Sequence, residues 1–356
     1  MYGTDEQRNR LYYRTVGIRG GIDLSASLRN LTEGTSPDMM NMLIRSKGLI
    51  PANQAGAIEF SLSEAIRGAV RYLSTVSYLV LLGTTKCWVK TAGTPIEKTP
   101  TPPFTYMTDP LWHGFSMLHG GTQVVIVSNS GVDFPHYWDG GSGSFIPVSA
   151  APKAKTYIGF LGRLVAGAVY DPGPAVWYIN RLQWSEMDTI TSWPLVGTSG
   201  YVDLVDEGDL IQRLWRAQAN LLRILRRHSV WSAVPTANAF NPITLQYISS
   251  DGIFAPSSLQ DIGQDTCIYM GEKDVYVLTG TTSPIGRKIR DELFAEADPA
   301  RLAYAWSFKD STTKEYYLVV DLLGGGSRAY IYNWEDNTWT RQSLTGITCL
   351  VEWYED

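Results

Sequence analysis

Histidine, cysteine, carboxylate and glycine are the residues from which a catalytic or metal site would be built, and their spacing here suits none. His113, His119, His136 and His228 keep no ligand-like distance from cysteines or carboxylates, and His113 and His119 stand six apart across a glycine. Asp139-Gly140-Gly141-Ser142-Gly143 has the glycine content of a phosphate cradle. It lies between Trp138 and Phe145, however, where it reads as a hairpin loop whose glycines supply positive φ. No Gly-x-Ser-x-Gly, Walker or dinucleotide loop stands where a strand would need it. Cys87, Cys267 and Cys349 are odd in number and far apart, which speaks against a disulfide framework and for synthesis in a reducing compartment. The expectation is a protein with no cofactor, no metal and no catalytic residue.

Charge narrows the field further. Thirty basic against 35 acidic residues give a net charge of −5, unlike a chain built to grip nucleic acid through phosphates. The basic residues gather once, at Arg213, Arg216, Arg223, Arg226 and Arg227. Such a stripe on a strand pair reads as a subunit or salt-bridge surface. Charged residues make up only 18% while aromatics reach 12%, with 12 Trp and 20 Tyr, a balance that favours strands and protein–protein contacts. Met1–Arg10 is polar and lacks the apolar core of a secretory signal. The longest apolar run, Tyr78–Leu82, is too short to span a bilayer.

The elements that would position any site are short strands. From about residue 65, period-two apolar runs recur, with second strands expected near Tyr78, Val124, Leu164, Leu221, Val275 and Tyr316. A period of roughly forty to sixty residues is close to the four-strand blade of a β-propeller. The fold expected is therefore all-β, a propeller of about six blades over 61–356, with Pro95–Pro103 and Asn238–Pro256 as loop insertions. Leu210, Leu214, Ala217, Leu221, Leu222 and Leu225 also fit helical spacing, but the hinge at Ala219-Asn220 and the repeat register favour two strands. Asp291–Ala303 is a short-helix candidate, with Asp298-Pro299 a turn or a second helix start.

Residues 1–60 read differently, as an extended N-terminal arm that docks by a few apolar anchors. Ile22, Leu24, Met39, Met42 and Leu43 are the subunit-docking candidates, and Asp38–Leu43 is either a helical turn or a strand.

Ser185-Glu186-Met187-Asp188 with Trp193 resembles the Asp-box of sialidase-type propellers, without its usual glycine. Asn333–Trp339 resembles a kelch blade. In both motifs an Asp or Asn closes the turn onto backbone amides while a Trp packs between blades, which marks Trp184, Trp193, Trp334 and Trp339 for blade packing. A sialidase-like hydrolase would also need an acid/nucleophile pair at one end of the channel, and Glu186, Glu207 and Glu292 cannot be placed there by spacing.

The order of phrases resembles the β-propeller virion proteins of tailed bacteriophages, the tail nozzle, hub or packaged-DNA stabilisation family. The phrases are Gly20–Asp23, Ser36–Met42, Trp184-Ser185 with Asp188 and Trp193, Ile211–Leu214 with Leu222–Leu225, Val275–Leu278, and Pro284–Gly286. The chain departs from the family at Glu272-Lys273-Asp274, where Asp-Gly usually precedes the aromatic strand. The resemblance implies a structural virion protein of the tail, made in the host cytoplasm. It would form a ring of identical subunits, six by expectation, below the connector and against an adaptor or portal ring and other tail proteins. Such a ring retains packaged DNA and then lets double-stranded DNA through without specific binding. Under that reading Asp203, Asp206, Glu207 and Asp209, the densest acidic cluster, are the channel-facing candidates; a solvated acidic loop is the alternative. A receptor- or glycan-binding propeller and a sialidase-like glycoside hydrolase remain the other functions open.

Overall fold

A computed structural model describes residues 42–45, 48–51, 61–106, 112–205, 208–263, 265–344 and 347–351, the first two segments by backbone alone. Strands β1 (Met42–Arg45) and β2 (Gly48–Pro51) form an antiparallel hairpin. Six four-stranded antiparallel sheets follow, each made of four consecutive strands.

The first sheet holds β3 (Gly68–Leu73), β4 (Ser77–Leu82), β5 (Cys87–Lys90) and β6 (Ile96–Glu97). The second holds β7 (His113–His119), β8 (Thr122–Ser128), β9 (His136–Trp138) and β10 (Ile146–Pro147). In the third are β11 (Lys153–Phe160), β12 (Arg163–Asp171), β13 (Val176–Trp184) and β14 (Gly200–Asp203). The fourth comprises β15 (Ile211–Gln218), β16 (Leu221–Arg226), β17 (Val230–Pro235) and β18 (Ile243–Ser249). The fifth comprises β19 (Gln260–Gly263), β20 (Thr266–Met270), β21 (Val275–Leu278) and β22 (Thr282–Pro284). A helix, α1 (Arg290–Glu296), and a 3-10 turn at Leu302–Tyr304 lead to β23 (Trp306–Asp310), β24 (Glu315–Asp321), β25 (Ser327–Asn333) and β26 (Thr338–Leu344). The molecule is a six-bladed β-propeller.

The first strand of each blade is the innermost. β3 lies against β7, β7 against β11, β11 against β15, and β19 against β23. Two glycines let β3 and β7 lie close: a Cβ on Gly114 would stand 2.3 Å from a Val70 methyl, and one on Gly68 would stand 2.6 Å from the Trp112 Cβ. Second strands are sandwiched between neighbouring blades, so they bury both faces and read as unbroken apolar runs. β12 is buried from Arg163 to Val169, with a bulge at Gly167/Val169 where Ala168 takes φ 55°.

Five buried clusters join successive blades, from the first with the second through to the fifth with the sixth. The junction of the sixth blade with the first is built differently. Val319, Ala329 and Ile331 form one group with Leu344, while Leu79, Leu81 and Trp88 form a separate group onto which Val351 packs. The closing seam is thus lined by the segment after β26, where Thr348 Oγ1 donates to the Ile66 carbonyl, and β1 lies against β26.

Residues 210–225 hold two strands, as the hinge and the repeat register favour, and the short helix expected over Asp291–Ala303 is α1. Other elements differ from the sequence expectations. Pro95–Pro103 and Asn238–Pro256 are not mere insertions, because they carry the outer strands β6 and β18. Val275–Leu278 is the third strand of its blade, the second being Thr266–Met270. β7, β19 and β22 were not foreseen; they are inner or edge strands with mixed polarity, where period-two alternation is weakest.

Candidate functional site

The inner strands enclose a central channel of about 700 Å³. Its wall carries Arg71 of β3, His113 of β7, Arg213 of β15, Asp261 of β19 and Lys309 of β23, set among Trp112, Leu259, Trp306 and Phe308. Asp261 is engaged in the wall: its carboxylate accepts from Gly263 N at 2.8 Å and Trp215 Nε1 at 3.3 Å. Lys309 Nζ donates to the Asp261 carbonyl at 2.6 Å. Arg213 Nε and Nη1 and His113 Nε2 are sealed from solvent with no hydrogen-bond partner among the described residues. Burial pushes the Arg213 pKa down to about 10.

Of the acidic cluster, Asp203 and Asp209 do not line this channel on the propeller's own axis. Asp203 ends β14, the outermost strand of its blade, and pairs with Arg181 at 2.7 Å. The Arg181 guanidinium is itself stacked between the rings of Tyr178 and Tyr201, at 3.8 and 4.0 Å. Asp209 is buried, accepting from His228 N at 2.9 Å and from Ser229 Oγ, and lies 3.4 Å from Arg226. An aspartate just ahead of an inner strand satisfies the neighbouring turn before it can reach the lumen. Asp206 and Glu207 lie outside the described residues.

Most of the basic stripe is internal cement. Arg226 is fully buried and donates to the carbonyls of Asp209 and Val205, each at 2.8 Å, tying the fourth blade to the connection from the third. Arg223 donates to the Thr279 carbonyl at 3.0 Å and lies 3.7 Å from Asp265, binding the fourth blade to the fifth. Arg227 pairs with Glu272 at 2.6 Å and lies over the Phe254 ring. Arg216 reaches the Gly159 carbonyl at 3.4 Å. Arg213 is the exception.

The turn phrases close as hydrogen-bonded corners. Asn333 Oδ1 accepts from Glu335 N and Asp336 N, each at 3.0 Å, which is the kelch-like closure. In the Ser185–Asp188 phrase the closing group is different: Ser185 Oγ accepts from Leu164 N at 3.0 Å, and Ser192 Oγ donates to the Glu186 carboxylate at 2.7 Å. Asp188 contributes backbone instead, its amide donating to the Gly162 carbonyl and its own carbonyl accepting from Gly120 N, at φ 58°. Glu292 is bound on α1 by Arg328, at 3.1 Å, and by Arg341. Glycines of the Asp139–Gly143 loop accept from Trp138 Nε1 through the carbonyls of Gly141 and Gly143, and the loop joins β9 to β10. His113 and His119 begin and end the seven-residue β7, about 20 Å apart at strand rise.

The four tryptophans fall at blade faces. Trp184 is in the cluster between the third and fourth blades, and Trp193 in that between the second and third. Trp339 is buried between the fifth and sixth, while Trp334 packs there half-buried. Of the docking candidates, Met42 and Leu43 take register positions opposite Pro51 and Ile50 in the β1–β2 hairpin. Ile22, Leu24 and Met39 lie outside the described residues.

No family model and no curated protein matches the chain. Among solved structures it is similar to virginiamycin B lyase from Staphylococcus aureus, at 9% identity and a TM-score of 0.47, covering 78% of this chain and 85% of that one. It is also similar to the dihydro-heme d1 dehydrogenase NirN in complex with DHE, at 11% identity and a TM-score of 0.44. That likeness covers 74% of this chain and 52% of the other, about half its length. Both concern the fold alone, and neither activity is carried over. Among the described residues no helix is long and apolar enough to cross a membrane, and no group of three or more potential metal ligands forms.

Proposed function

We propose that this chain is a structural protein of a phage tail, a nozzle- or hub-type subunit whose ring below the connector retains packaged DNA and forms part of the ejection path. The observation that carries the reading is the order of the sequence phrases. Each that falls on described residues occupies a distinct structural position. Trp184–Trp193 is the corner after β13, Ile211–Leu214 and Leu222–Leu225 pair as β15 and β16, and Val275–Leu278 is β21 leading into Pro284–Gly286.

The surface also suits assembly. Val196, Val205 and Phe240 are 68%, 73% and 70% exposed on the connections around the third and fourth blades. Arg163 holds two of these connections together, donating to the carbonyls of Ser185 at 3.0 Å, Thr198, and Ala239 at 3.4 Å. Apolar side chains presented on an anchored frame are what a subunit contact requires, and heterologous contacts close into rings when their rotation allows. In such a ring the DNA path is the lumen between subunits, separate from the small channel on each propeller's own axis.

Deleting residues 1–45 should leave a folded propeller that no longer assembles with itself or with a connector ring, as read by circular dichroism and sedimentation. A truncated protein that still forms the full-length assembly would remove the arm from the account. A truncated chain that unfolds would make the arm part of a blade.

A further inference from the structure

The outer edges of the six blades are not protected alike. A strand at a sheet edge offers unpaired N–H and C=O groups to another strand unless it is short, charged, broken by proline or covered. β6 and β10 are two residues long, and β10 ends in Pro147. β22 has three residues and also ends in a proline, Pro284. β14 has four and ends in Asp203, which is tied to Arg181. β26 is seven residues long, but it carries Arg341 and β1 lies against it.

β18 has none of these devices. It is the outermost strand of the fourth blade and runs for seven residues, Ile243-Thr244-Leu245-Gln246-Tyr247-Ile248-Ser249, without charge or proline. Outside its pairing with β17, no backbone–backbone hydrogen bond among the described residues reaches it. Thr244, Gln246 and Tyr247 are exposed, Tyr247 by 51%. Isoleucine, threonine and tyrosine are also residue types that suit a strand.

Leu245 packs on the cluster between the third and fourth blades, as does Trp231, which Tyr247 meets edge-on. Ile248 packs on the cluster between the fourth and fifth. Alternation therefore sets Leu245 and Tyr247 on one face of β18, and Thr244, Gln246 and Ile248 on the other. The strand is complementary to itself. In an antiparallel pair of two copies with Gln246 on the twofold axis, Leu245 stands opposite Tyr247 of the second copy. Thr244 then stands opposite Ile248 of the second copy, and no like charges are opposed. We propose that β18 pairs antiparallel with β18 of a second copy, joining two blades into one eight-stranded sheet. Such a contact is isologous, unlike the heterologous contacts that close a ring. It does not rest on the virion reading.

Sedimentation of the full chain over a concentration series should show reversible pairing of subunits. Hydrogen exchange should slow at the amides of 243–249 as concentration rises, and not at those of β14 or β22. Gln246→Lys and Gln246→Glu each place two like charges on the axis and should each weaken the pairing roughly fivefold. Mixing the two variants should restore it. Deleting residues 1–45 should leave the pairing intact, which separates it from the ring contact that the arm supplies. Chains that stay monomeric, or pairing that both variants retain in full, would overturn the proposal. So would protection that rises only at other strands, or pairing lost with residues 1–45, which would make the arm the strand that covers β18. Should the variants not fold, the exchange measurement on the unchanged chain decides.

Discussion

The carboxylate of Glu64 accepts from Thr84 Oγ1 and Thr85 N, each at 2.8 Å, from Lys86 N at 3.2 Å and from Thr85 Oγ1. Burial works against its ionisation, but the donors of Thr85, Thr84 and Lys86 outweigh it and hold the pKa at about 2. In the unfolded chain a glutamate titrates at about 4.3. The stability gained from this turn is therefore complete above that pH and fades as pH falls toward the folded value. Glu64→Gln should cost about 1 kcal/mol at pH 7, at the low end for charged hydrogen bonds because the group is partly solvated. It should also flatten the pH dependence of urea unfolding across that acid window, and an unaltered slope would show that the turn does not sense the charge. Nothing local marks Glu64, since its partners come from the β4–β5 turn some twenty residues on. Asn333 could be read from its sequence because its partners lie two and three residues away. The same logic misassigned Asp188, where the corner is closed by Ser185 from across a strand pair.

Elements show a similar division between local and distant causes. β24 to β26 are seven residues each, carry buried runs of three to five residues and were placed closely from sequence, as were β15 and β16. β6 and β22, two and three residues long, owe their existence to the neighbouring strand, so their own sequence says little. Tryptophans report the blade register. Trp339 is fully buried, donates from Nε1 to the Ile285 carbonyl at 2.9 Å and packs on Tyr332 at 5.0 Å between ring centres. Trp339→Ala should cost roughly 3–5 kcal/mol, and Trp334→Ala, at a half-buried position, about 1–2 kcal/mol. Equal losses in denaturant unfolding would mean that the two side chains do not differ in burial as described.

At the scale of the molecule, the repeat was legible because each blade buries a strand on both faces at a regular spacing. The closing seam was not, because it depends on residues distant in sequence, such as Ile66 and Thr348, meeting. The places of Asp203, on an outer strand, and Asp209, in a buried corner, were not legible for a related reason: proximity in sequence does not tell the two apart. The ring of subunits rests on the phrase order and on the apolar rim, and direct imaging addresses it. Negative-stain microscopy of the purified chain, alone and mixed with a portal or adaptor ring, should show closed rings of subunits, or rings that form on the connector. Particles that stay monomeric and never associate with the connector would contradict the account.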